Sequence, residues 1–383
     1  MIRVAEILSD SNIGGAGRLL LARFSLSDRE MFDERIVLPL GSELCEEFKG
    51  LGYTPYEMKF CNDKSLDLSG IYPLYRYFRR TYPDIVNCHG CLSARIAAKL
   101  AGVPIRIYTR HCAYEPSEIM KNTMIKSINN KLTKFLTHKI IAVADAAKAN
   151  LTDIGIDDKM IEVIINGVEP IKKYSDNEKK LARIKLGIPE DAFVCGICAR
   201  LEDCKGIDIL LRAARRLLRS NNNYYFLIIG KGSRFFELKE LAYGLGISDR
   251  VKFVGFVRDV TQYLNCFDLN LNCSRGTETS SLAISEGMSL GIPCIASSWG
   301  GNPHMVQDGH NGFIFPVDDF IRLAELIETL CGNKTLYFQM RENSYKRYCE
   351  EFTAKTMTCL TEKLYMNLYL KHQDKRSEEA IAK

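Results

Sequence analysis

The chain is 383 residues long, which leaves room for about two domains, each with its own core. A hydrophobic content of 46% and a charged content of 26% are ordinary for a soluble globular protein. No stretch reaches the ~18 uncharged apolar residues of a membrane span, and residues 1–8 lack the basic start and long apolar core of a signal peptide. The 14 cysteines are therefore expected to be reduced thiols of a cytoplasmic protein, used as small hydrophobic residues.

The first half of the chain alternates strand-like and helix-like patterns. Strands are predicted at 4–8, 35–40, 55–60, 84–88, 105–109, 139–144 and 161–165. Helices are predicted at 19–24, behind a glycine-rich loop, at 66–82, 92–100 and 146–154, and as a long helix after residue 109. This alternation implies a parallel, doubly wound sheet, which binds ligands beyond the carboxyl ends of its strands.

The alternation stops at residues 166–170 and restarts at residue 193, after a charged stretch at 172–185. Further strands are predicted at 193–198, 224–229, 251–254, 269–273, 292–296 and 312–315, and helices at 207–218, 236–245, 260–266, 282–290, 319–330, 336–352 and 356–370. The prediction is an α/β chain of two Rossmann-like, doubly wound domains, 1–168 and 169–352, with a C-terminal helix at 353–383. The tail from Lys371 is expected to fray.

Two carboxylates stand seven residues apart in the strand–loop–helix–strand segment 269–296. Glu278 lies in the loop and Glu286 on the helix, roughly 6–9 Å further along it. The loop between them, 279–281, is rich in residues that begin helices, and a helix N-terminus suits an anion such as a diphosphate. The alternative is a pair of solvated or capping glutamates.

Two cations follow the first strand of the second domain. Arg200 and Lys205 stand at the mouth of the predicted sheet, just before Gly206 opens a helix, where they suit a diphosphate. The alternative is a surface arginine and a loop lysine near acidic residues.

The loop after the first strand contains Gly14, Gly15 and Gly17, which can adopt positive φ and let backbone approach a ligand. The spacing differs from the G-x-G-x-x-G dinucleotide fingerprint, which disfavours NAD. A tight turn without a ligand is the alternative.

Two histidines, His89 and His111, are predicted at the carboxyl ends of strands in the first domain. His89 is either a ligand-side residue or a satisfied strand-end histidine. Cys88 and Cys91 bracket it, so a zinc site is conceivable, but the spacing matches no compact zinc module. Cys195 and Cys198 point to opposite faces of a strand and cannot easily share a metal.

The segment 121–139 contains five lysines, no acidic residue and apolar residues at helical spacing. Around it, residues 51–150 carry 15 Lys/Arg against 7 Asp/Glu. A basic amphipathic helix of this kind can lie on an anionic membrane. The alternative is a helix that packs one face on the sheet and leaves its lysines solvated. No aromatic-studded motif for nucleic acid is found.

The ordered set of motifs resembles the retaining glycosyltransferases of GT-B architecture, in particular family 4 (glycosyl transferases group 1). Glu278 and Glu286 resemble that family's E-x7-E pair, Arg200 and Lys205 its R-x4-K pair, and Gly14-Gly15 with Arg18 its GG-x-x-R loop. Asn166-Gly167-Val168 occupies the intervening position.

The resemblance implies two domains facing a cleft, with the acceptor on the first domain. It implies catalytic roles for Glu278, near the donor sugar, and His111. Donor-binding roles fall to Gly15, Arg200, Lys205, Phe256, Ser281, Leu282 and Glu286, and acceptor-side roles to Gly14 and His89. Glu286 would hold the ribose, Phe256 the base, and the two cations the phosphates.

The implied activity is a retaining, hexosyltransferase-type transfer of sugar from a nucleotide sugar, UDP- or GDP-linked, to a glycan or lipid-linked acceptor. No metal or other cofactor is expected, because the cations and the helix N-terminus can offset the charge of the diphosphate. The expected setting is the cytoplasm, at the inner face of the plasma membrane if the basic helix binds lipid. Where many family members have E-G-F-G, this chain has Glu278-Thr279-Ser280-Ser281. A nucleotide-sugar epimerase and a non-catalytic nucleotide-binding homologue are the alternatives.

Overall fold

The computed structural model of the protein describes residues 1–11, 13–59, 65–113, 117–220 and 223–381, with side chains to residue 378. Phe60, the predicted end of the third strand, lies outside these residues. The chain forms two compact units: Met1–Gly167 with Ala354–Lys383, and Val168–Thr353.

The first unit contains a parallel sheet of seven strands in the order β3-β2-β1-β4-β5-β6-β7. The strands are β1 (Ile2–Leu8), β2 (Phe32–Pro39), β3 (Tyr56–Met58), β4 (Ile85–His89), β5 (Ile105–Arg110), β6 (Lys139–Ala142) and β7 (Ile161–Val163). The helices between them are α1 (Gly15–Leu26), α2 (Cys45–Gly50), α3 (Leu68–Thr81), α4 (Leu92–Leu100), α5 (Glu118–Lys121), α6 (Thr123–Leu136) and α7 (Asp145–Asp153).

The second unit contains a parallel sheet of six strands in the order β10-β9-β8-β11-β12-β13. Its elements are α8 (Asp176–Lys185), β8 (Phe193–Cys198), α9 (Ile207–Ser220), β9 (Tyr224–Ile229), α10 (Phe235–Gly244), β10 (Val251–Gly255), α11 (Thr261–Leu264), β11 (Leu269–Asn272), α12 (Leu282–Ser289), β12 (Cys294–Ser297), α13 (Asn302–Met305), β13 (Gly312–Phe315), α14 (Phe320–Gly332) and α15 (Lys334–Glu351). The predicted α/β class, with two doubly wound parallel sheets, is confirmed.

Strand β9 forms where the sequence is continuously apolar, as expected when helices cover both faces of a parallel sheet. Every residue of β9 is buried. Helix α9 buries Leu210, Ala214 and Leu217 at helical spacing against this sheet, which gives the second unit its core. The last helix, α16 (Ala354–Ile381), belongs to the first unit, where it packs on α1 and buries Tyr365.

Three sequence predictions of local structure are wrong. The segment 121–139 is not one helix: Asn122 accepts hydrogen bonds from the backbone of Met124 and Ile125, so a new helix begins there. The charged stretch before residue 193 forms α8, begun by a capping box of Ser175 and Glu178. The tail does not fray at Lys371, because α16 continues to Ile381.

Candidate active site

Each sheet reverses its strand order at one point, between β1 and β4 in the first unit and between β8 and β11 in the second. Open α/β sheets bind ligands at this point, beyond the carboxyl ends of the strands. His89 ends β4, the loop with Lys205 follows β8, and the loop with Glu278 follows β11. The topology therefore brings predicted site residues to the reversal point of each unit.

In the second unit, two of the predicted site residues form an ion pair. Lys205 Nζ lies 2.7 Å from Glu278 Oε2, and the two side chains are only 13% and 11% exposed. The same carboxylate oxygen accepts from Ser274 Oγ at 2.9 Å and from Asn272 Nδ2 at 3.4 Å. Glu278 is thus held in one orientation by three donors at the end of β11.

Close backbone packing fixes both the loop that carries Lys205 and the loop that carries Glu278. Gly206, with φ +61°, follows Lys205, and a Cβ there would lie 2.1 Å from the carbonyl oxygen of Cys273. Gly301 packs on the other loop, where a Cβ would lie 1.6 Å from the carbonyl oxygen of Thr279. No larger residue fits at either position without moving the backbone that presents Lys205 or Glu278.

Helix α12 begins directly after this loop, and its N-cap is Ser281. The Ser281 hydroxyl does not cap the helix; it accepts a hydrogen bond from Asn272 Nδ2 at 3.2 Å. The Ser281 N–H donates to Met305 Sδ, a weak acceptor. Leu282 is the first helical residue and is half-buried, while Glu286 is buried one turn further on. The helix therefore directs its positive end toward the loop of Glu278.

The other residues predicted to bind the donor include Arg200 and Phe256, which lie on neighbouring loops of the same unit. Arg200 is exposed just beyond β8. Phe256 follows β10 and is 47% exposed, with Lys231 Nζ 4.8 Å from its ring centroid. An exposed ring under a cation can stack on a flat ligand group.

In the first unit, a hydrogen-bonded chain joins Glu6, His89 and His111. Glu6 Oε2 lies 2.8 Å from His89 Nε2, and His89 Nδ1 lies 2.8 Å from His111 Nε2. Glu6 is fully buried and His89 is nearly so. The centroids of the two imidazole rings lie 5.1 Å apart, and the ring planes make an angle of 23°. A cavity of about 40 Å³ borders both histidines. Its lining includes the polar residues Arg23, Asn87 and Thr109 and a set of apolar side chains.

Burial and the nearby Arg23 determine the charges of the hydrogen-bonded residues Glu6 and His111. Burial alone would raise the pKa of Glu6, but Arg23 at 2.7 Å, His89 and Tyr365 together lower it to about 2. Burial, with His89 nearby, lowers the pKa of His111 to about 3. Glu34, which shares Arg23, has its pKa raised by burial. At neutral pH the chain therefore joins an ionised Glu6 to a neutral His111.

The glycines of the loop after β1 do not have positive φ, contrary to the prediction, and Gly14 and Gly17 pack closely on neighbouring side chains. Gly14 is the N-cap of α1 with φ −92°, and Gly15 and Gly17 lie inside the helix. A Cβ on Gly14 would lie 2.7 Å from Asp10 Oδ2, and one on Gly17 would lie 2.6 Å from Leu44 Cδ1. The loop thus keeps the N-terminus of α1 close to the end of β1.

The two cysteines that flank His89, Cys88 and Cys91, contribute to the packing and capping of the fold. Cys91 is the N-cap of α4, where its sulfur accepts from the backbone of Ala94 at 3.4 Å, and Cys88 is buried in the sheet. Within the described residues, no three His, Cys, Asp or Glu side chains are grouped so that they could hold a metal ion.

Two family models match the chain on both sides of the unit boundary. Residues 34–171 match Glycosyltransferase Family 4, and residues 178–347 match Glycosyl transferases group 1. This chain belongs to the group 1 glycosyltransferases. The predicted family and the predicted enzyme class, a glycosyltransferase, are confirmed.

The glycosyltransferase has curated relatives over most of its length. It is 25% identical to the Escherichia coli UDP-Gal:alpha-D-GlcNAc-diphosphoundecaprenol alpha-1,3-galactosyltransferase, across 96% of this chain and 97% of the relative. It is 26% identical to the Staphylococcus aureus capsular polysaccharide biosynthesis glycosyltransferase CapM, across 80% of this chain and 83% of the relative. Both relatives are transferases by name, so the epimerase alternative gains no support.

Solved structures share the fold of the glycosyltransferase. Anabaena HepE in complex with UDP superimposes with a TM-score of 0.82 at 20% identity, over 96% of this chain and all of the other. At this identity the likeness concerns the fold alone, which is the predicted GT-B architecture.

Several residues of these sites were missed by sequence analysis. Glu6, Arg23 and Tyr365 in the first unit and Asn272 in the second belong to no local motif. The one available signal was a lone carboxylate, Glu6, in the otherwise apolar run after Arg3. A further finding concerns the bilayer: among the described helices, none is long and apolar enough to cross a membrane.

Proposed function

We propose that the protein transfers a hexose, with retention of anomeric configuration, from a nucleoside diphosphate sugar to a glycan or lipid-linked acceptor in cell-surface polysaccharide or glycolipid synthesis. The observation that carries the proposal is the pairing of Lys205 with Glu278 beside the N-terminus of α12. This arrangement provides a cation and helix N–H groups for a diphosphate, next to a fixed carboxylate for sugar hydroxyls.

A uridine donor is favoured over a guanosine donor. The E. coli relative is named for UDP-Gal, and Anabaena HepE is described in complex with UDP-glucose. An acceptor of the undecaprenyl diphosphate type is supported by the name of the E. coli relative alone. We propose that Arg200, Lys205 and α12 offset the charge of the departing diphosphate without a metal ion.

The test is a panel of UDP- and GDP-linked sugars, first by thermal shift, because a bound donor raises the unfolding temperature by mass action. The donor that shifts the protein is then incubated with polyprenyl diphosphate-linked sugar acceptors, and the anomeric configuration of the product is read by NMR. An α-linked product from an α-linked donor supports retention. An inverted product, or release of an isomerised donor sugar, contradicts the proposal.

We also propose that α6 rests on an anionic membrane. Its residues Met124, Ile128, Leu132 and Phe135 fall on one face, and each is at least 50% exposed. Lys131 lies on the same face, and Lys99 Nζ lies 4.3 Å from the Phe135 ring centroid. An exposed apolar stripe with lysines suits a bilayer interface with anionic headgroups.

Four of the five lysines in segment 121–139 have other partners, and two of these, Lys121 and Lys139, pair with Glu118 and Glu162. Lys134 pairs with Asp157 at 2.7 Å, and Lys126 packs on Gly155. The decisive variant is therefore Leu132→Gln with Phe135→Gln, which should lose co-sedimentation with vesicles containing phosphatidylglycerol. The matched control is Leu181→Gln with Ile184→Gln, because these residues of α8 are 58% and 62% exposed. Equal binding by both double variants and the parent protein would contradict the membrane proposal.

A further inference from the structure

The carboxylate of Glu6 receives fixed hydrogen bonds at both oxygens. Oε2 bonds His89 Nε2 at 2.8 Å. Oε1 accepts from Tyr365 Oη at 2.7 Å and from Arg23 at 2.7 Å. The Tyr365 hydroxyl in turn accepts from Asn87 Nδ2 at 2.9 Å. Glu6 therefore acts only as an acceptor, and its partners must supply the protons.

Because Glu6 can only accept hydrogen bonds, it determines which nitrogen of each histidine donates. A carboxylate that only accepts requires the proton of His89 to be on Nε2. A neutral His89 then offers a lone pair at Nδ1, so His111 must donate from its own Nε2. If His89 becomes an imidazolium, its Nδ1–H donates instead, and the proton of His111 moves to Nδ1 while His111 stays neutral.

We infer that Glu6 is a positioning residue that acts through His89 and fixes which nitrogen of His111 carries its proton. Because Nε2 of His111 is engaged by His89, any hydrogen bond from His111 to a substrate uses Nδ1. That nitrogen accepts when His89 is neutral and donates when His89 is charged. The inference rests on the proposed function for its chemical use, since His111 would then meet the sugar or the departing phosphate.

Glu6 is the closer of two polar partners of His89 Nε2: Glu6 Oε2 lies at 2.8 Å and the donor Asn87 Nδ2 at 3.3 Å. The polar groups around the two histidines are Glu6 from β1, Arg23 from α1, Asn87 from β4, Thr109 from β5 and Tyr365 from α16, and Asn166 and Thr361 line the same cavity. Glu34 from β2 contacts Arg23 and bonds neither histidine. Thr109 donates to Asn87 Oδ1 at 2.8 Å, which fixes the orientation of that amide. Tyr365 lies 359 positions from Glu6 in sequence, so the C-terminal helix α16 supplies the last donor to the Glu6 carboxylate.

The test is ¹⁵N NMR of the histidine rings in the whole protein, without donor. The chain has six histidines, and His111→Asn and His89→Asn identify the two signals by their loss. Whenever His89 is neutral, its proton should be on Nε2 and that of His111 on Nε2. In any form with protons on both nitrogens of His89, the proton of His111 should be on Nδ1. A neutral His89 protonated at Nδ1 overturns the inference, and the wild-type spectrum alone decides this.

The variant Glu6→Gln tests the role of the carboxylate, because an amide can donate as well as accept. We expect the tautomer ratio of His89 to change about tenfold or more, the scale of a lost charged hydrogen bond. The matched control is Glu34→Gln, a buried carboxylate on the same Arg23 with no bond to either histidine. It should leave both tautomers unchanged. Equal spectra for Glu6→Gln and wild type overturn the inference.

Activity gives a second measurement. A wrong tautomer can cost a histidine enzyme ~10⁴-fold in kcat, so Glu6→Gln should lower kcat by about tenfold or more, with donor KM changed less than about twofold. Glu34→Gln should retain the kcat of the folded protein. If no donor supports transfer while the NMR result holds, the proposed function fails and the positioning role of Glu6 stands.

Discussion

Lys205 and Glu278, 73 residues apart in the chain, are joined by a 2.7 Å ion pair that is largely buried. Gly206 lets the Lys205 loop pack on Cys273 just beyond β11, and Gly301 packs on Thr279 in the loop of Glu278. Charge on either residue is therefore compensated before a donor binds. A diphosphate that engages Lys205 competes with Glu278 for it, which couples phosphate binding to the position of the carboxylate.

The interaction energy of the Lys205–Glu278 pair can be measured by a double-mutant cycle on stability. Lys205→Met and Glu278→Gln each leave a nearly buried charge without its partner, so each should lower the free energy of unfolding. The double variant should cost less than the sum, with a coupling energy of about 0.5–3 kcal/mol. Urea unfolding measures all four proteins.

The matched control is the exposed pair Lys49–Glu46, whose coupling should be much smaller because solvent screens it. Additive effects at Lys205 and Glu278 would mean that the pair contributes nothing to the fold.

The phosphate role of the two cations gives the second prediction. Arg200→Ala and Lys205→Ala should each lose about 2–4 kcal/mol of transition-state stabilisation, the scale of one preorganised electrostatic donor. The measurement is kcat/KM with the donor identified by thermal shift. Arg216→Ala, which removes an exposed arginine from α9, should leave kcat/KM unchanged. Normal turnover by both site variants would exclude the phosphate role.

The fold was predictable because strand and helix patterns alternate with little ambiguity. Errors arose where one polar side chain decides a boundary. Asn122 begins a new helix inside a continuous amphipathic pattern, and the capping box of Ser175 and Glu178 converts a charged stretch into α8. The capping box was readable in the sequence as Ser-x-x-Glu.

The site was only partly predictable. Lys205 and Glu278 follow strand ends and Glu286 lies on the helix that comes next, so residue type and spacing select all three as candidates. Glu6 and Tyr365 could not be paired from sequence, because a bond between residues 359 positions apart depends on how α16 packs. Buried polar chains of this kind leave no periodic pattern.

Substitution of Glu278 and substitution of Glu286 should impair the enzyme in different ways. Glu278 is held at the loop beside Lys205 and should act on the chemical step, so Glu278→Gln should lower kcat strongly with little effect on UDP affinity. Glu286 is buried on α12 and should act on nucleotide binding, so Glu286→Gln should weaken UDP affinity by roughly 1.5–3 kcal/mol.

Titration calorimetry with UDP, beside steady-state kinetics, separates these effects. Loss of UDP affinity in Glu278→Gln with normal affinity in Glu286→Gln would reverse the assignment. If neither variant changes either quantity, the resemblance to the E-x7-E pair has no functional meaning here.

The last prediction concerns the loss of stability in acid. An unfolded histidine titrates near pH 6.5, whereas buried His111 has a pKa of about 3. Between these values the unfolded state binds a proton that the folded state does not, so the free energy of unfolding falls as the pH drops from about 6.5 toward 3. Glu6, with its pKa lowered from 4.5 to about 2, adds a loss in the same direction below about pH 4.5.

Urea unfolding at pH 7.5, 6.0 and 5.0 measures this dependence, which is at most about 1.4 kcal/mol per pH unit for each group. His111→Asn removes the titrating ring, so its free energy of unfolding should fall less steeply between pH 6.0 and 5.0 than that of the wild type. His310→Asn, which replaces an exposed histidine, should keep the wild-type slope. An unchanged slope in His111→Asn would show that His111 accepts a proton in the folded protein as readily as in the unfolded chain. That result would contradict a neutral, buried His111.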